Sequence, residues 1–138
     1  MHVRIIAIGK LKHKTFVSLA QDYIARLSHW RLEITELKTD KDIEKHIPEG
    51  FFTVVLDEMG EEMNSKKFAE FVETRRDSGD KICFVIGGAY GFPEEFKNGF
   101  DMRLSFGKMT FTHQFARVLL LEQLYRAHTI MSGKEYHY

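Results

Sequence analysis

The sequence contains little cysteine, little proline and no long hydrophobic run. Its 138 residues include one cysteine and two prolines, so no disulfide framework within the chain is possible and folding must rest on a buried core. Cys83 lies in an apolar run, which favours a buried thiol over a nucleophile. No apolar stretch approaches the roughly 18 residues of a membrane span. These features predict a cytoplasmic protein without a membrane partner, built as a single domain over residues 1–138.

Net charge is also lacking, because 20 basic residues balance 20 acidic ones. The charges are unevenly placed: residues 1–38 hold seven Lys/Arg against three Asp/Glu, residues 39–101 hold eight against fifteen, and residues 102–138 hold five against two. Six of the seven histidines also lie in the two basic ends. An electropositive face is expected if those ends meet in space, although ordinary solvated charges give the same totals.

Hydrophobic spacing alternates between strand and helix patterns along the whole chain. Strands are predicted at residues 3–8, 32–37, 51–56, 82–86 and 104–106. Helices are predicted at residues 16–27, from Asn64 or Ser65 to Gly79, after Pro93, and at residues 112–131, with one or two further turns before Pro48. This order predicts a three-layer α/β fold with a mostly parallel sheet.

Ligands of such sheets bind where the strands end. Three loops qualify: the loop after Leu56, the loop after Ile86, and residues 106–111. The loop after Ile86 reads GGAYG, which matches neither a dinucleotide fingerprint nor a P-loop. Glycine permits close backbone approach, so the turn suits a flat, uncharged group such as a purine ring. A tight structural turn is the alternative reading of the same residues.

Several motifs occur in one order along the chain: AIGKLK, VVLDEMG, FVIGG, SFGKMTFTHQFARV, EQLYRA and a terminal Tyr136-His137. In this the sequence resembles the RlmH family, small SPOUT methyltransferases that modify a pseudouridine in large-subunit ribosomal RNA. The resemblance implies S-adenosylmethionine as the cofactor, N3 of the pseudouridine as the methylated atom and, as the fold, an α/β domain with a C-terminal trefoil knot.

The resemblance also implies which residues bind the cofactor. Carried over by position, they are Leu56, Gly87, Phe106, Gly107, Lys108, Met109, Thr110 and Phe111. All of them lie in the three strand-end loops. For Phe106, Met109 and Phe111, plain core packing is the alternative, because an apolar slot and a core look alike in a sequence.

Three residues are predicted to act on the substrate. His137 is the candidate proton acceptor, since an imidazole titrates near neutral pH, and Tyr136 is expected to stack on or orient the target base. A free tail is the alternative for both, and Tyr138 stands where relatives carry a basic residue. Arg117 lies among apolar residues, so we expect it to contact a phosphate or an imide oxygen, or else to pair with Glu122 or with an acid of a partner subunit.

The remaining predictions concern partners. The last helix is apolar nearly all round, which predicts burial on several sides, and the resemblance implies a homodimer that acts on ribosomal RNA, on the assembled ribosome. Lys10, Lys12, His13 and Lys14 form a basic cluster that suits RNA phosphates, although a solvated loop gives the same residues. His113 is expected at most to cap the helix. No metal is needed for the transfer, and the histidines lack metal-ligand spacing. A non-enzymatic RNA-binding or ribosome-binding module with the same fold is the alternative function.

Overall fold

A computed structural model describes residues 1–134 and contains the predicted elements in the predicted order. The strands are β1 (His2–Ile8), β2 (Arg31–Leu37), β3 (Phe51–Glu62), β4 (Lys81–Ile86) and β5 (Met102–Ser105). The helices are α1 (Lys14–Arg26), α2 (Ser65–Asp77), α3 (Glu94–Lys97) and α4 (His113–Met131), with a 3₁₀ turn at Ile43–His46.

The five strands form one sheet in the order β2-β1-β4-β3-β5, and all four pairings are parallel. The predicted parallel sheet is therefore confirmed. All carboxyl ends lie at one edge. The chain order reverses between β1 and β4, where such folds open a crevice beyond the strand ends.

Side chains alternate between the two faces of the sheet and pack into two separate hydrophobic clusters. Val3, Ile5 and Phe84 pack with helices α1, α2 and α4 on one face. On the other face Ile6, Cys83 and Val85 pack with the 3₁₀ turn and α3. Helix α4 contacts both α1 and α2, which accounts for its lack of a broad polar side. Two packed faces around one sheet give the three expected layers.

Cys83 is buried in the second cluster. Burial raises the pKa of its thiol to about 12, against a smaller opposing effect of Arg4. The prediction that Cys83 is buried is confirmed.

Side chains cap the two long helices that follow β3 and β5. The Asn64 side chain accepts a hydrogen bond from the Lys67 amide at 2.8 Å, so Asn64 rather than Ser65 is the cap of α2. The Thr112 hydroxyl accepts one from the Phe115 amide at 3.3 Å. Thr112 is thus the cap of α4, and the expectation that His113 serves this purpose is wrong.

Strand β3 runs six residues beyond its predicted end at Leu56. Leu104 of β5 is opposite both Leu56 and Glu61, so residues 57–60 leave the ladder as a bulge. Gly60 sits so close to β5 that an added Cβ would lie 2.8 Å from the carbonyl of Arg103. Only glycine fits there without a shift of the backbone.

None of the helices within residues 1–134 combines the length and the apolar character that a membrane crossing requires.

Candidate active site

A cavity of about 670 Å³ opens at the bulge of β3 and at the carboxyl ends of β4 and β5. Most of its walls come from three segments: the bulge of β3, the glycine turn after β4, and the loop that leads from β5 into α4. The first turn of α4 and Lys97 of α3 complete the lining. The volume lies within the range of sites for small molecules and cofactors. A second space of about 390 Å³ adjoins it and shares Leu104, Phe106 and Phe111 as lining.

The structure brings most of the predicted cofactor residues together in this cavity. Its lining includes Leu56, Gly87, Phe106, Gly107, Met109, Thr110 and Phe111. Lys108 is not part of that lining. Met109 and Phe111 are exposed, at 79% and 43% of their surfaces, so core packing does not explain them, whereas Phe106 packs partly against the main core. The binding role of all eight residues stays a prediction.

The glycine turn forms one wall because its backbone is tightly folded. A Cβ added at Gly87 would lie 3.2 Å from the Cα of Gly91 and from the ring of Phe92. Gly88 faces Ile8 of β1, with 3.3 Å between an added Cβ and that side chain. Glycine at both positions therefore permits the tight fold of the turn, which itself lines the cavity.

The opposite wall, residues 106–111, is held to the bulge of β3. The Ser105 hydroxyl lies 3.0 Å from the Glu58 carbonyl oxygen and accepts a hydrogen bond from the Gly107 amide at 3.0 Å. The Thr110 hydroxyl donates to the Glu58 carboxylate. Gly107 has a φ of +127°, which only glycine adopts without strain. The loop therefore has a defined path over the sheet edge.

A cluster of charges, Asp57 with Lys97, Arg103 and Glu94, secures the bulge and α3. Asp57 is 5% exposed and pairs with Lys97 at 3.1 Å and Arg103 at 3.4 Å. Burial alone would raise the pKa of Asp57, but hydrogen bonds from the Met59 amide and Lys97, together with both positive charges, hold it below its ordinary value. Sequence reasoning missed this cluster, although Asp57 directly follows a predicted strand.

Arg117 is buried, with 3% of its surface exposed. Its guanidinium donates to the Glu36 carboxylate of β2 and, at 2.7 Å, to the carbonyl oxygen of Gly9 after β1. The pairing partner is thus Glu36 and not Glu122, which pairs with Arg126. Arg117 is not among the residues that line the cavity. A contact with RNA or with the base stays a prediction.

His113 lines the cavity at the first turn of α4. Its ring lies against Gly9, where an added Cβ would come within 3.1 Å of Cε1, and Gly9 has a φ of +93°. Burial, followed by the positive charges of Arg117 and Lys12, lowers the pKa of His113. Its position just before a helix gave no signal of these contacts.

The basic loop after β1 is attached to the start of α4 beside the cavity. The Lys12 amide donates to the Gln114 side chain at 2.8 Å, and the Leu11 amide donates to Glu36 at 3.4 Å. Gln114 itself lines the cavity. The loop with Lys10, Lys12 and Lys14 therefore lies next to the opening.

Two predicted catalytic residues, Tyr136 and His137, lie outside the described residues. Within residues 1–134 the structure contains no cluster of three or more His, Cys, Asp or Glu side chains suited to a metal ion.

Comparisons with known proteins identify the family. A family model described as "Predicted SPOUT methyltransferase" matches residues 1–137. A protein of Coprothermobacter proteolyticus named "Ribosomal RNA large subunit methyltransferase H" is 42% identical over 139 residues, covering 99% of both chains.

Two solved structures show the same fold at low identity. A probable methylase family protein from Haemophilus influenzae gives a TM-score of 0.60 at 14% identity, over 99% of this chain and 71% of that one. The SpoU methyltransferase AviRb from Streptomyces viridochromogenes, in complex with AdoMet, gives 0.57 at 11%, over 96% of this chain and 59% of that one. With the family model and the close relative agreeing over nearly the full length, the chain that builds this cavity belongs to the SPOUT methyltransferase family.

Proposed function

We propose that the protein is an S-adenosylmethionine-dependent methyltransferase of large-subunit ribosomal RNA. One observation carries the proposal: three strand-end loops surround a single cavity in a SPOUT methyltransferase whose relatives are named for methylation of large-subunit rRNA. The finer assignment, N3 of a pseudouridine on the assembled ribosome, rests on the resemblance of the motifs.

The cavity fits the proposed cofactor in size and in chemistry. Gly87 brings the main chain of the turn to the cavity wall, where a flat ring could bind, and Leu56, Leu104 and Phe106 supply apolar surface. Glu58 and the ion pair of Asp57 with Lys97 supply charged groups at one wall. The cofactor, when bound, supplies a methyl group on a positively charged sulfur, which is a good leaving group.

The protein has three tasks: to align the nucleophile with the methyl group, to exclude water, and to accept a proton. We assign proton acceptance to His137, because an imidazole titrates near neutral pH, and stacking on the base to Tyr136. Arg117 is assigned a positioning role, because Glu36 and Gly9 already occupy its guanidinium. In that role it holds the turn after β1 beside the cavity.

The substrate surface is proposed to include the basic loop after β1. Lys10, Lys12 and Lys14 suit RNA phosphates, whose contacts position a target without reading its sequence. The loop's attachment to Gln114 and Glu36 places these charges next to the cavity. Shape and an accessible, unpaired base would then select the target nucleotide.

A homodimer and a C-terminal trefoil knot are further parts of this proposal. Phe115 of α4 is 49% exposed, and its ring contacts Phe16 of α1 edge-on, with ring centroids 4.6 Å apart. A second subunit would cover such apolar surface. The knot rests on family membership, since residues 106–111 and α4 correspond to the segment that is threaded in that family.

Calorimetry with S-adenosylmethionine, followed by methyl transfer to rRNA, tests the function. We expect micromolar binding that S-adenosylhomocysteine competes for. Mass mapping of rRNA from cells that lack the protein should show one unmethylated nucleotide, which the purified protein restores on ribosomes or on free rRNA. Binding to RNA without heat from the cofactor would favour the non-enzymatic module instead.

A further inference from the structure

His113 combines an accessible position with a partly enclosed ring. It lines the cavity, yet its Nδ1 atom is buried and has no hydrogen-bond partner among residues 1–134. Gly9 lies against the Nδ1–Cε1 edge of the ring, since an added Cβ would be 3.1 Å from Cε1 and 3.6 Å from Nδ1. With Nδ1 covered by protein, Nε2 is the nitrogen left to serve the cavity.

Burial also decides which nitrogen carries the proton in the neutral ring. Buried N–H groups without an acceptor are rarer in proteins than acceptors that lack a full set of donors. The proton of neutral His113 is therefore expected on Nε2, with Nδ1 bare. An imidazole in this form has an N–H donor for the cavity and no accessible acceptor.

Burial and the neighbouring positive charges together favour the neutral form of the ring. Burial, followed by the charges of Arg117 on the same helix and of Lys12 in the loop after β1, lowers the pKa of His113. Glu36 of β2 is paired with Arg117. Asp57, Glu58 and Lys97 also line the cavity, but the largest effect on His113 remains burial.

We infer that His113 is a catalytic residue that donates a hydrogen bond from Nε2 to a carbonyl oxygen of the target base. The inference rests on the proposed function and deepens it, because it names the chemical group of the substrate that the cavity recognises. The substrate must present an imide, a ring N–H between two carbonyl groups, which uracil-type bases have and cytosine, adenine and guanine lack.

The role of the donor follows from the charge that develops. The imide N–H of the nucleobase gives its proton to the proton acceptor, here assigned to His137. Negative charge then spreads to the two flanking carbonyl oxygens. The imide nitrogen then takes the methyl group with its own electron pair, and the electrons of the broken S–CH₃ bond stay on sulfur. A fixed neutral donor stabilises the charged imide and transfers no proton itself.

Arg117 supports this arrangement as a positioning residue. It donates to the carbonyl oxygen of Gly9, the residue on which the His113 ring rests. The 3.1 Å approach at Gly9 leaves no space for a side chain between the turn and the ring. Displacement of this turn would therefore free the imidazole.

Two substitutions of His113 distinguish a hydrogen-bond donor from a proton acceptor. His113→Gln keeps an N–H group near the Nε2 position, while His113→Leu removes it at similar size. For the Leu variant we expect kcat on large-subunit rRNA to fall about 10²- to 10³-fold, and for the Gln variant we expect at least about tenfold of that loss to be recovered. Affinity for S-adenosylhomocysteine, measured by calorimetry, should match the wild type in both.

Nitrogen-15 NMR of the histidine rings in the wild-type protein provides a test that needs no variant. At pH 7 we expect His113 to be neutral with its proton on Nε2. A proton on Nδ1, or an imidazolium at that pH, would overturn the assignment even if the variants did not fold.

The kinetic outcomes are equally decisive. Equal losses of kcat in the Gln and Leu variants would contradict the role of His113 as an N–H donor and would favour a role as proton acceptor. A Leu variant with wild-type kcat would remove His113 from catalysis. A wild-type protein that methylates no rRNA would overturn the proposed function and the donor assignment together, whereas an active wild type with an unaffected Leu variant would overturn the donor assignment alone.

Discussion

Arg117 donates a hydrogen bond to the carbonyl oxygen of Gly9 at 2.7 Å, joining residues 108 positions apart. The same guanidinium donates to the Glu36 carboxylate of β2. One buried cation of α4 therefore joins the ends of β1 and β2, beside the cavity formed at the bulge of β3 and the ends of β4 and β5.

Replacement of this cation should destabilise the protein. In Arg117→Met the Glu36 carboxylate loses its partner, but its side chain is 35% exposed and water offsets part of the cost. We expect a loss of about 2–3 kcal/mol in the free energy of unfolding, measured by urea denaturation. Lys45→Met, which breaks an exposed pair with Asp42, is the control and should stay within about 0.5 kcal/mol of the wild type. Equal effects of both would contradict the structural importance of Arg117.

Gly87→Val should abolish cofactor binding. An added Cβ at this position meets Gly91 and Phe92 at 3.2 Å, so the glycine turn must shift and its main chain moves out of reach. Calorimetry with S-adenosylhomocysteine measures the effect. Gly99→Ala is the matched control, because its Cβ makes only an ordinary 3.5 Å contact with the Phe96 carbonyl. Normal affinity in Gly87→Val would remove the turn from the binding site.

Asp57 should contribute to stability in a pH-dependent way. Its pKa is lowered in the folded protein from an ordinary value of 3.8, so its contribution is present above that value and is lost as pH falls through the folded pKa. Asp57→Asn should cost about 1–3 kcal/mol at pH 7, and the difference from the wild type should shrink in acid. Urea denaturation between pH 7 and pH 3 tests this. Asp77→Asn, in an exposed pair with Arg76, serves as the control, and a difference that stays constant with pH would refute the role of the charge.

His137→Ala should keep cofactor affinity and lose turnover. Without the imidazole, no side chain is assigned to accept the imide proton. Loss of such a proton acceptor typically lowers the rate by about 10²- to 10⁴-fold. Methyl transfer to rRNA and calorimetry on the same preparation separate the two quantities. Unchanged turnover would exclude His137 from the mechanism.

Cys83 should resist alkylation in the folded protein. Burial raises the pKa of the thiol to about 12, so the reactive thiolate is scarce at pH 8 and the sulfur is inaccessible. Iodoacetamide followed by mass spectrometry should show labelling only in denaturing urea. Rapid labelling without urea would indicate that the second hydrophobic cluster opens.

The sequence predicted what depends on local patterns and failed where distant segments meet. Strand ends can be read from apolar runs, so the three loops around the cavity were found together with Leu56, Gly87 and Phe106. The partner of Arg117 is 81 positions away, and no local feature distinguishes Glu36 from Glu122. The second half of β3 was missed because residues 57–62 are mostly polar, and its pairing depends on β5, which lies 40 residues further along the chain.

The bulge of β3 has a consequence for how this site can vary. Since Leu104 is opposite both Leu56 and Glu61, residues 57–60 interrupt the ladder and the pairing resumes on the far side. Asp57 and Gly60 are fixed by their contacts with Arg103, but Met59 is 82% exposed. The bulge can therefore change its side chain at position 59 without any change in the sheet beneath it.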